Sequence, residues 1–116
     1  MGPGRWKARL SAAAERDFLS ILEWTRERFS VRQSQTYRTI LQESIRALRD
    51  GPDVPGARRP IDIAPGVWSL HIARGRRRGR HLLLYRVAGE RTLEIIRILH
   101  DSMDPVRHLP EPREDR

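Results

Sequence analysis

Four histidines, His71, His81, His100 and His108, are the side chains best suited to move a proton near neutral pH. None stands at the spacing of a zinc-binding HExxH helix, so no metal site is expected. His81 and Tyr85 lie four apart in a run that reads as a strand, which puts them on one face. Joined by an arginine, such a pair can serve as acid, base and phosphate clamp in RNA cleavage through the 2′-hydroxyl. The same pair can equally anchor a sheet by packing and hydrogen bonding. His100 and Asp101 form a second candidate, either an orientation pair or a turn that ends a strand with Asp104 as a cap. Between Arg74 and Arg80 stand five arginines, Arg74, Arg76, Arg77, Arg78 and Arg80, punctuated by Gly75 and Gly79. Their mutual repulsion favours an anionic partner or full solvation, and each phosphate contact would add about one unit of salt dependence. Neither a nucleophile elbow nor a P-loop is present.

The whole chain shares that charge. Its 116 residues carry 23 basic and 15 acidic side chains, for a net charge of +8. Lys7 is the only lysine. Such a surface is either simply solvated, with part of the arginine excess following from a GC-rich genome, or it meets a polyanion, a nucleic acid or an acidic protein, since arginine grips phosphate and carboxylate alike. The absence of cysteine excludes a disulfide scaffold, a thiolate zinc site and a thiol nucleophile. No apolar run is long enough to span a bilayer, and the first residues lack the apolar stretch of a secretory signal. A cytoplasmic protein without membrane contact is the expectation.

The elements that would position these residues follow from periodicity. Residues 5–10 alternate basic with apolar and read as a first strand. Ser11 sits where a helix cap belongs, and a helix is expected over about 12–29, with Phe18, Ile21 and Leu22 on its apolar face. A second periodic run, Tyr37, Ile40, Leu41, Ile45 and Leu48, stops at Gly51-Pro52. Two helices so closely spaced make an antiparallel hairpin with a shared apolar seam. Residues 51–66 hold four prolines and three glycines and read as a loop. Three strands follow, at 67–72, 81–87 and 92–99, with a hairpin at Gly89-Glu90. The fold class is α+β in the order β-α-α-β-β-β, a helical hairpin on a mainly antiparallel four-stranded sheet. Residues 1–109 form one domain, and 110–116 a disordered tail. The place of the first strand in the sheet is not written in the sequence.

The motifs resemble the RelE/ParE superfamily of bacterial type II toxins over roughly residues 5–109. Leu10-Ser11, Ala14, Asp17-Phe18, Ile21 and Trp24 match its first-helix pattern. Pro65-Gly66-Val67-Trp68-Ser69-Leu70 is similar to its entry into the second strand. The closest match is Arg97-Ile98-Leu99-His100-Asp101-Ser102-Met103-Asp104, followed by Arg107-His108-Leu109, a signature of the ParE branch. With it go His81 and Tyr85 at the start of the third strand. The nuclease branch usually carries Tyr-Arg where this chain has His81-Leu82. The resemblance implies a toxin that poisons DNA gyrase by binding, with no catalytic residue and no cofactor. The alternative it implies is a metal-independent ribonuclease working on the ribosome and mRNA, through Arg74, His81, Tyr85 and His100. A third possibility is an inactive or nucleic-acid-binding relative. In either toxin branch a cognate antitoxin holds the protein inactive. For the ParE branch this is an acidic ParD-like protein with a ribbon-helix-helix part, whose disordered tail folds onto the toxin. Phe18, Leu22, Trp24, Tyr37 and Leu41 on the helical hairpin are the candidate antitoxin contacts. Arg74, Arg76, Arg77, Arg78 and Arg80 are the candidate contacts to the target or another anion.

Overall fold

The computed structural model describes residues 5–59, 64–72, 79–103 and 108–109. Strand β1 (Lys7–Leu10) leads into helix α1 (Ala12–Arg28), helix α2 (Val31–Ala47) and one 3₁₀ turn at Leu48–Asp50. Strands β2 (Ala57–Arg58), β3 (Trp68–His71), β4 (His81–Gly89) and β5 (Thr92–His100) complete the domain. They form one sheet in the order β1-β5-β4-β3-β2. All pairs are antiparallel except β1 with β5, which run parallel with Lys7 opposite Thr92. The first strand is therefore an edge strand that returns beside the last. A fifth strand, the two-residue β2, lies inside the segment expected to be loop, where Ala57 and Arg58 pair with Leu70 and Ser69. Two residues carry no readable period, which is why the four-stranded expectation missed it.

Capping serines set the helix starts. Ser11 Oγ accepts the Ala14 N–H at 3.0 Å and donates to the Ile96 carbonyl at 2.8 Å, so one hydroxyl caps α1 and fastens it to β5. Ser30 does the same for α2 by accepting the Gln33 N–H at 3.0 Å. α2 thus begins at Val31, a turn and a half before its apolar period shows at Tyr37. Ser34 Oγ donates to the Leu22 carbonyl and stitches the two helices together. Gly51, at φ 117, ends the helical run as its position before Pro52 suggests. The β4–β5 hairpin turns at Glu90 and Arg91, and Arg91 takes the left-handed conformation at φ 51 without glycine.

The helices cover one face of the sheet. Leu22, Ile40, Leu41 and Leu48 pack there on Leu70, Ile72, Leu83, Tyr85, Leu93, Ile95 and Ile98. Each such buried side chain contributes about 1.5–3 kcal/mol. On the opposite face Val67, Leu84, Ile96 and Leu99 make a smaller cluster, with Leu82 and Leu109 against it. A bulge in β5 opposite Leu84 and Tyr85 leaves Ile96 unpaired in the ladder and shifts the strand's alternation before Arg97, which pairs with Leu84. β1 covers only the first half of β5, and Asp17 from α1 closes the next stretch of that edge. Its carboxylate accepts the Ile98 N–H at 2.9 Å and both arms of the Arg97 guanidinium at 2.7 and 2.9 Å. Arg97 also donates to the His108 carbonyl at 2.9 Å. The signature arginine is a tie between α1, β5 and the following segment. Its guanidinium is held even more firmly protonated, first by the bond to Asp17.

Candidate functional site

Strand register gathers three histidines at one end of the sheet. β3 ends at His71, β4 begins at His81 and β5 ends at His100, with His81 directly opposite His100. The His81 and His100 rings meet edge to face at 5.3 Å. From α2, Tyr37 brings its hydroxyl to 2.6 Å from His81 Nδ1. That hydroxyl also accepts the Arg80 backbone N–H at 3.0 Å. Burial, then the neighbouring His100, push the His81 pKa down to about 4. Burial also raises the Tyr37 phenol. Asp101 sits at the rim, where it receives His71 Nε2 at 3.1 Å and Arg80 Nε at 3.4 Å. The His71 bond, then the Arg80 charge, hold its carboxyl below the usual range. His100 Nδ1 accepts the Ser102 N–H at 3.1 Å, so the segment after His100 is a turn that folds back on the strand end.

The candidate residues divide sharply. Tyr85 does share the helix-covered face with His81, yet it is fully buried and its hydroxyl donates to the Pro52 carbonyl at 2.6 Å. Burial raises its phenol well above the usual range. The proposed ribonuclease role for Tyr85 is thereby corrected: it is a core residue with its one proton committed. Tyr37 is the phenol that reaches His81, and its distance of 44 residues along the chain gave no local signal. Leu22 and Leu41 are likewise corrected from antitoxin contacts to core, since neither offers surface to a partner. Leu99 is buried in the second cluster, and Met103 is 44% exposed. Arg80 is exposed, whereas Arg74, Arg76, Arg77, Arg78 and Asp104 lie outside the described residues. Trp24 is 52% exposed, stacks edge to face on Phe29 at 5.9 Å and carries the Arg28 guanidinium over its ring.

A groove runs along the C-terminal half of α2. One cavity of about 590 Å³ is walled by Arg5, Lys7, Arg46 and Arg49 over Trp6 and Ala8. A second, of about 390 Å³, is walled by Leu10, Phe18, Leu19 and Glu15. Gln42 and Ile45 line both, so a basic compartment opens into an apolar one. Phe18 belongs to this groove. Trp24 does not: at about 100° per residue it stands about 140° around α1 from Leu19.

Comparison with known proteins decides the family. A family model described as the ParE toxin of type II toxin–antitoxin system, parDE, matches residues 8–105. A protein named Toxin ParE1 from Mycobacterium tuberculosis is 35% identical over 100 residues, which cover 86% of this chain and 94% of that one. The chain belongs to the ParE toxin family. A second Toxin ParE1, from Caulobacter vibrioides, is 35% identical over 104 residues, 87% of this chain and 95% of the relative. Among solved structures, a chain from the chromosomal ParDE TA system of P. aeruginosa superposes with a TM-score of 0.66 at 22% identity, over 82% of this chain and 95% of that one. That likeness concerns the fold, two helices on a five-stranded mixed sheet.

Membership makes this chain the toxin component of a type II toxin–antitoxin system. The matched span takes in the α1 anchor Asp17, its partner Arg97 and the histidine corner. Leu82 is a half-buried apolar residue packed against the second cluster. No group of three or more acidic, histidine or cysteine side chains among the described residues could hold a metal ion. No helix among them is long and apolar enough to cross a membrane.

Proposed function

We propose that this ParE-family toxin acts by binding DNA gyrase, without catalysis of its own, and is silenced by an acidic antitoxin laid into the groove along α2. The observation that carries the binding reading is the burial of Tyr85, whose proton is already given to Pro52. A nuclease set built on His81, Tyr85 and an arginine would therefore have no free proton on Tyr85. The groove supports the antitoxin reading. Its apolar half suits the face of an amphipathic segment, and its arginine-walled half suits carboxylates. A +8 toxin and an acidic segment meet quickly at low salt. The first experiment is purified, antitoxin-free protein with gyrase and supercoiled plasmid, scored for linear DNA after detergent and protease. Linear DNA that requires both proteins supports the reading. Intact supercoiled DNA at high toxin concentration sinks it.

The ribonuclease reading keeps one favouring observation, the contact of Tyr37, His81 and His100 at an accessible strand end. Its test is mRNA cleavage on ribosomes. Loss of cleavage in both His100→Ala and Tyr37→Phe would favour it.

A further inference from the structure

Three features of the histidine end have no part in the groove. The first is how the Arg80 backbone is held. Its N–H is bound by Tyr37, and its carbonyl accepts the Asp101 N–H at 2.7 Å. The residue before it, Gly79, lies so close to Ile72 that an added Cβ would stand 2.4 Å from Ile72 Cγ1. A residue pinned from α2, β3 and the end of β5 is not a loose loop tip. The second is exposure: the Arg80 side chain is 71% exposed, those of His71 and His100 39% each. The third is Met103, an exposed apolar side chain whose backbone N–H is bonded to the His100 carbonyl at 2.9 Å. An arginine fixed at its backbone, an exposed thioether and two imidazoles thus share one end of the sheet.

We propose that this end of the sheet is the surface that contacts the toxin's target, that the partner is a protein face bearing carboxylates around an apolar spot, and that Tyr37 is the positioning residue for Arg80. The inference rests on the reading of the chain as a toxin that acts by binding. Charge complementarity selects an anionic partner for Arg80 in a chain of +8. Met103 selects protein over nucleic acid. A sugar–phosphate backbone gives a thioether nothing to pack against, while methionine and arginine are enriched in protein interfaces. Aspartate 101 acts as an internal placeholder, keeping the Arg80 Nε engaged at 3.4 Å until a partner carboxylate meets the rest of the guanidinium. The surface is also remote from the basic end of the groove. That end flanks Lys7, which is opposite Thr92 at the start of β5, whereas His100 is at its finish. At about 3.4 Å per residue the two lie about 27 Å apart along the strand.

The test uses the full chain in the gyrase cleavage assay, read as the toxin concentration for half-maximal linear DNA. Arg80→Glu, Met103→Asp and Tyr37→Phe are compared with Arg16→Glu, an equal charge change on exposed α1, and thermal melts show which variants are folded. The first two should each raise the half-maximal concentration at least ~10-fold, as charge placed against a protein interface does. Tyr37→Phe should raise it about 3- to 10-fold and make potency fall more steeply with salt, since an unpinned arginine forms looser, more screened contacts. Arg16→Glu should stay within about 2-fold. If wild-type protein gives no gyrase-dependent linear DNA, the gyrase reading fails while the surface is still tested: the same variants are scored for growth arrest on expression. Lost arrest in Arg80→Glu and Met103→Asp, kept in Arg16→Glu, then supports the surface. Folded Arg80→Glu and Met103→Asp proteins as potent as wild type in both assays overturn it. So does a loss confined to Arg80→Glu that is matched by weaker binding to a labelled duplex, which would make the partner a nucleic acid.

Discussion

Acid should weaken this protein through one ring. His81 is held neutral in the fold by burial, then by the neighbouring His100, while Tyr37 is hydrogen-bonded to its Nδ1. In the unfolded chain the ring titrates near 6.5, in the fold near 4. Above pH 6.5 neither state holds the proton and the ring is silent. As pH falls below 6.5 the unfolded state gains a proton that the folded state refuses, so stability drops until about pH 4 and then levels off. At about 1.4 kcal/mol per pH unit the full loss would be about 3 kcal/mol, and partial solvent access to the ring reduces it to about 1.5 kcal/mol. Urea unfolding between pH 7.5 and pH 4 measures it. With a slope of roughly 1–1.5 kcal/mol/M for a domain of this size, the midpoint should fall by about 1 M from this ring alone. His81→Asn is the comparison, since its amide keeps a partner for Tyr37 and does not titrate. Its midpoint should move about 1 M less over the same range. Asp101 does not blur the comparison, because its lowered carboxyl loses stabilisation only below its ordinary acid range. Parallel pH profiles for the two proteins would refute the account of His81.

Asp17→Asn should lower stability by about 2–3 kcal/mol, because it leaves the Arg97 charge and the Ile98 N–H poorly met; thermal melting reads this. Gly79→Ala should cost about 1–3 kcal/mol by forcing Ile72 aside, seen as an earlier urea midpoint. Tyr85→Phe should lose about 1 kcal/mol with its bond to Pro52 and keep full growth arrest, whereas loss of arrest in folded protein would restore Tyr85 as a working residue.

Much of the architecture was legible because it is periodic. Ser11, the apolar face of α1 and the Gly51 stop are local signals, and each stands where chemistry puts it. The Ser30 cap of α2 was less clear, since Val31 to Thr36 bury little and show no apolar stripe. β2 and the parallel return of β1 depend on pairings far apart in sequence, which no window of residues contains. The site followed the same division. His81 and Tyr85 were correctly placed on one face by alternation, yet alternation cannot say that Tyr85 points to Pro52 or that Tyr37 reaches His81. Those contacts are decided by how the helical hairpin lies on the sheet.

α1 is riveted to β5 at two points. Ser11 holds the Ile96 carbonyl, and Asp17 holds the Ile98 N–H together with Arg97. One rivet would leave a hinge; two fix both the rotation and the slide of the helix. The wall that α1 contributes to the groove, with Phe18 and Leu19, is thereby set before anything binds. A flexible segment arriving there has only its own disorder to lose. The template it would meet is held by a serine and an aspartate that do not line the groove.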